Sequence, residues 1–139
     1  MMNEQNRTPD MTELPPLQAD ASPREIAEYA VSVLDTKKAR DIRLLHTEEH
    51  TVLADYFVIC TGTSRTQLKS LSDEVEYKLS LCGIEPLHVE GDGNGGWVLI
   101  DFGCVLVHVF SRDARAFYSL EKLYPETSEC DITALLKQD

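Results

Sequence analysis

Long apolar runs are missing from this chain: none of its 139 residues belongs to a stretch approaching the ~18 apolar residues a membrane helix requires. Positive charge is scarce as well. Thirteen Lys and Arg stand against 24 Asp and Glu, for a formal charge of −11 and a pI near 4.7. Phosphate backbones are bound by neutralising cations, so this balance argues against a nucleic-acid binder and suits approach to a basic protein. The four cysteines, Cys60, Cys82, Cys104 and Cys130, include no CxxC pair. Three of them sit among apolar neighbours in strand-like runs or at a helix end. That pattern fits free thiols acting as small hydrophobes in a reducing compartment, not a disulfide framework or a zinc site. The chain does not open with a basic-then-apolar signal or an Arg-rich transit segment, which leads to the expectation of a soluble cytoplasmic protein. There is a single tryptophan, and no internal repeat or low-complexity block.

What is present suffices for one domain, with 42% hydrophobic residues available for a core. Residues 1–21 are polar, Pro-containing and aperiodic, and read as a flexible leader. Ser22, Pro23 and Glu25 then announce a helix: a cap, a residue suited to the first helical position, and the partner of a capping box. Ile26, Ala30, Val33 and Leu34 share its inner face, and it is expected to end near Ala39. Residues 41–45 read as a short strand, His46–His50 as a loop, and 54–61 as a buried strand broken by Gly62. Ser64 with Gln67 forms a second candidate capping box, opening a helix that carries Leu68, Leu71, Val75 and Leu79 and stops at Gly83. Residues 86–90 read as an edge strand, because Pro86 cannot donate a ladder hydrogen bond. WVLID (97–101) and CVLVHVF (104–110) are β-branched and aromatic runs joined by a tight turn in which Gly103 supplies positive φ. A final helix is expected over 112–124, capped by Ser111 and halted by Pro125. Residues 22–125 form the expected domain, and 126–139 an extension with a short helix opened by Asp131. The order α-β-β-α-β-β-β-α predicts an α/β fold, a single mixed sheet of about five strands with helices packed on it.

Several segments in a fixed order are more specific than this pattern. They are ADYFVICTGTS (54–64), the central EG…GWVLIDFG…VLVHVF, and RAFYSLEKLYPE (115–126). Together they closely resemble the ribosomal silencing factor family, also called Iojap-like proteins, over roughly Arg24 to Tyr124. The resemblance implies a fold related to the nucleotidyltransferases and a non-enzymatic protein without cofactor. It further implies binding to the large ribosomal subunit through large-subunit ribosomal protein fourteen, where the bound protein prevents joining of the small subunit and lowers translation when nutrients are short. Self-association into a homodimer and a role in ribosome assembly are further implications. One departure stands out: the family usually carries an aspartate after the DFG-type turn, where this chain has Cys104.

Among individual residues, Trp97, Leu99 and Asp101 share a face by strand alternation and follow a glycine-rich loop. An aromatic anchor beside a leucine and a carboxylate is the composition of an interface hot spot for a basic partner; a core tryptophan is the alternative. The resemblance places this segment at the ribosome contact. On the last helix, Phe117, Leu120 and Tyr124 form one stripe, read as core, while Arg115, Tyr118 and Lys122 lie elsewhere and extend the interface. His108 alternates onto the face of Leu106 and Phe110 and reads as a packing residue. Two catalytic readings compete. Thr61-Gly62-Thr63-Ser64 joins a strand to a helix start, a candidate anion cradle, but Asp101 lacks the second carboxylate that a two-metal site needs. HTEEH (46–50) matches an HxxEH zinc pattern but sits between strands without helix signals.

Overall fold

The computed structural model describes residues 17–137, so the expected leader falls largely on residues outside those described. Helix α1 (Pro23–Thr36) leads to the strands β1 (Arg40–His46) and β2 (Tyr56–Gly62), helix α2 (Arg65–Leu81), and the strands β3 (His88–Glu90), β4 (Trp97–Asp101) and β5 (Val105–Ser111). Helix α3 (Arg112–Tyr118) follows, then a 3-10 turn at Leu120–Leu123 and a two-residue strand β6 (Glu129–Cys130). The strands form one six-stranded mixed sheet in the order β3-β4-β5-β2-β1-β6. Among the described residues only β2 and β5 run parallel; every other pairing is antiparallel.

Local chemistry explains most of these elements. The capping box of α1 is complete: the Ser22 hydroxyl accepts from the Glu25 amide at 3.1 Å, and the Glu25 carboxylate accepts from the Ser22 amide at 2.8 Å. At α2 only half of the expected box forms. The Ser64 hydroxyl accepts from the Gln67 amide, but the Gln67 side chain accepts from the Thr63 amide and hydroxyl, one residue earlier than expected. Both α1 and α2 lie on one face of the sheet, packing Val31, Leu34, Leu68, Leu71 and Val75 against Val58, Val98, Ile100 and Val107. The β4–β5 turn forms as expected, with Gly103 at φ 89 and its amide donating to the Asp101 carboxylate.

Three expectations are corrected. The sheet has six strands, because β6 pairs with β1 through Leu44–Cys130 and Leu45–Glu129. The Arg43–Glu129 ion pair, 3.1 Å, accompanies that pairing, and Ile132 beyond it enters the core. Second, the last helix stops at Tyr118 and not at Tyr124. Ser119 adopts a left-handed conformation (φ 46, ψ 47), which turns the chain back over the sheet. Third, that break splits the expected core stripe: Leu120 and Tyr124 pack on the sheet, whereas Phe117 is left 80% exposed.

Both ends of the described chain lie on the helical face. Leu17 packs near α2, with its amide donating to the Cys82 sulfur, and the Lys137 amide donates to the Asp35 carboxylate of α1.

Candidate functional site: the half-covered sheet face and the crevice at its end

Among the described residues no long helix covers the second face of the sheet. Its floor is Leu45, Phe57, Ile59, Leu106 and Phe110, roofed in part by Ala114, Leu120 and Tyr124. Strand register extends this floor outward across β5 to β4, because Trp97 pairs with Phe110, Leu99 with His108, and Asp101 with Leu106. Trp97, Leu99 and Asp101 therefore stand on one face, as alternation predicted, each half-buried beyond the edge of the α3 roof.

Trp97 anchors an aromatic cluster. Its ring centroid lies 4.7 Å from that of Tyr118, 4.9 Å from Phe110 and 5.9 Å from His108. The indole N–H donates to His108 Nδ1 at 3.3 Å. That bond assigns the imidazole proton to Nε2, which is buried and has no acceptor among the described residues. Burial alone pushes the His108 pKa down to about 4, so the ring is neutral at physiological pH. Beside the cluster, Phe117 meets Tyr118 edge-on and both are exposed, as is Leu123 in the following 3-10 turn. Phe117 and Leu123 were not singled out as contact residues in the sequence. Their exposure depends on the break at Ser119, which carries no glycine or proline signal.

Arg115 and Lys122 are placed differently from Trp97. The Arg115 side chain is largely buried, and Nη1 donates to the Asp41 carbonyl at 2.6 Å and to the Thr61 hydroxyl at 2.9 Å, while Nε pairs with Glu121 at 3.1 Å. It ties α3 to β1 and β2. Both Arg115 and Lys122 line a crevice of about 1300 Å³ at the end of the sheet, and Tyr118 belongs to both regions. Asp41, at φ 48 beside a bulge in β1, turns its carbonyl toward that guanidinium.

The catalytic constellations considered from the sequence are not assembled. Thr61 pairs with Phe110, whereas Asp101 pairs with Leu106, four residues back along β5. That separation is about 13 Å at strand rise. In HTEEH, His46 contacts Glu48 at 3.1 Å and stacks on Tyr56, while His50 turns toward Tyr124. Among the described residues no group of three or more His, Cys, Asp or Glu is placed to hold a metal, and no helix is long and apolar enough to cross a membrane. The four cysteines are free, and burial pushes the Cys60 thiol up to about 12.

Comparison with known families settles the kinship. A family model described as ribosomal silencing factor during starvation matches residues 20–139. The chain belongs to the ribosomal silencing factor family. Members similar to it include the ribosomal silencing factor of Bacillus subtilis, 38% identical over 109 residues, covering 78% of this chain and 92% of that one. The silencing factor of Halalkalibacterium halodurans is 36% identical over 115 residues, covering 83% and 98%. A crystal structure of a Chromobacterium violaceum protein superposes with a TM-score of 0.72 at 36% identity, over 75% of this chain and 87% of that one. The family match includes β6 and Ile132, so the segment beyond Pro125 lies inside the matched region.

Proposed function

We propose that this chain binds the large ribosomal subunit through large-subunit ribosomal protein fourteen and there blocks docking of the small subunit, lowering translation when nutrients are short. The observation that carries this reading is the half-covered sheet face, where Trp97, Leu99 and Tyr118 remain partly accessible beside exposed Phe117. A rigid floor of strands with aromatic side chains at its open edge suits a preorganised protein contact. The net charge of −11 suits a partner from a basic class of proteins and speeds the encounter. Asp101, held by its bond to the Gly103 amide, supplies a carboxylate at the edge of the same face.

The mechanism needs no bond making. A 15.6 kDa domain on the docking site excludes the second subunit by volume alone. It works if its residence time outlasts encounters with the small subunit. The test is cosedimentation with purified large subunits followed by a subunit-joining assay. The protein is expected to pellet with large subunits and to suppress joining, and Trp97→Ala to lose both. If the protein pellets while joining proceeds, steric exclusion is wrong; if it never pellets, the partner is wrong.

A further inference from the structure

The parallel pair β2–β5 creates a feature the ribosome-binding reading does not use. The two strands end side by side, Gly62 next to Ser111. From Gly62 the chain crosses to α2 on one face of the sheet, and from Ser111 it crosses to α3 on the other. Diverging connections at the carboxyl ends of adjacent parallel strands open a crevice, and such switch points are where open α/β sheets bind ligands.

Here that crevice is the one of about 1300 Å³, lined by Arg40, Arg43, Arg65, Arg112, Arg115 and Lys122. Six of the chain's 13 basic residues therefore gather at one end of a protein with 24 acidic ones. Against them stand three acids of the lining, Asp41, Asp113 and Glu121, and Glu129 just outside it pairs with Arg43, so six minus four leaves a local excess of +2. The rest of the molecule's negative charge is screened within about 8–10 Å at ordinary salt. The side chains of Arg40, Arg112 and Lys122 have no ion-pair or hydrogen-bond partner among the described residues, and all three residues are exposed. Arg65 and Arg115 are held in place, by Asn94 and by the Asp41 carbonyl, Thr61 and Glu121. The glycine loop closes the far wall, tied down where the Ser111 amide donates to the Gly96 carbonyl. Gly95 leaves bare backbone, with no atom within 4 Å of where a Cβ would stand.

We infer that this crevice binds a polyphosphate anion, the di- or triphosphate group of a nucleotide. Fixed guanidiniums on the walls and unpaired ones at the rim match the fork geometry of phosphate oxygens. The volume exceeds what a single orthophosphate fills. Helix α3 carries Arg112 and Arg115 to the crevice and Tyr118 to the Trp97 cluster, so one short element borders both regions.

Calorimetric titration of the full chain, free of ribosomes and of magnesium, tests this independently of the docking proposal. Inorganic triphosphate, ATP and GTP are titrated in parallel with a short single-stranded RNA, each to about 1 mM. Saturable binding of the three triphosphates is expected, weakened about tenfold or more by Arg112→Gln and by Arg40→Gln, one unit of charge each. Arg24→Gln, at the opposite end of the sheet beside Tyr56 and Cys130, is expected to bind as the parent does. Absence of saturable binding overturns the inference. So does equal weakening by Arg24→Gln, which would mean diffuse attraction, or RNA binding more tightly than every triphosphate, which would make the crevice a backbone contact.

Discussion

The neutral, buried His108 makes stability depend on pH in a way that can be worked out. The ring is 4% exposed, and burial lowers its pKa from 6.5 to about 4. Above about pH 6.5 the imidazole is neutral in both folded and unfolded chains, and its contribution is complete. Between that pH and about 4 the unfolded chain takes up a proton that the native ring refuses, so stability falls as the solution is acidified. The slope approaches ~1.4 kcal/mol per pH unit, and the accumulated loss is about 3 kcal/mol by the folded pKa. Protonation also puts a hydrogen on Nδ1, which then faces the Trp97 N–H as donor against donor. The assay is urea unfolding at about pH 7, 5.5 and 4.5 on the parent and on His108→Gln, which stays neutral throughout. Carboxylates elsewhere titrate identically in both proteins, so the difference between the two curves isolates the histidine. The parent is expected to lose stability more steeply than the variant on acidification. Parallel curves over this range would mean the imidazole titrates as it does in water, and the buried neutral ring would have to be abandoned.

Other consequences can be measured directly. Trp97→Ala should weaken association with large subunits by about 2–4 kcal/mol, or roughly 30- to 1000-fold, read by cosedimentation at several protein concentrations. Phe117→Ala, at an 80% exposed position, should change unfolding free energy by less than about 0.5 kcal/mol while still reducing pelleting. Gly91→Ala should destabilise by more than about 1 kcal/mol in denaturant unfolding. Gly91 sits at φ 87, and a Cβ there collides with the Trp97 carbonyl. Truncation before Glu129 removes β6 and exposes the Ile132 site, and should lower the melting temperature by several degrees.

The parts of the fold that the sequence made legible are those with a short-range physical signature. Alternation in 97–101 and 104–110 put Trp97, Leu99 and His108 on their observed face. Continuous apolarity marked β2 as buried, and Pro86 marked the neighbourhood of an edge strand. Signals failed where long-range packing decides. Two residues are too few to show a period, so β6 is defined by its pairing with β1 alone. Ser119 takes a left-handed turn although nothing local requires it, because the break lets Leu120 and Tyr124 cover Phe57 and lets Arg115 meet Glu121. Arg115 read as a surface cation in a helix, and only the juxtaposition of three separate elements makes it an internal tie. The crevice depends on β2 and β5 meeting in parallel, a pairing that no local pattern encodes.

Because the backbone passes through Leu17 and Lys137 on the helix-clad side, attachments at these points project away from the indole. A fluorophore, affinity handle or surface tether joined there would leave the exposed aromatic edge unobstructed. Immobilised protein should therefore capture particles as well as free protein does, whereas a bulky group grafted at Phe117 should abolish capture.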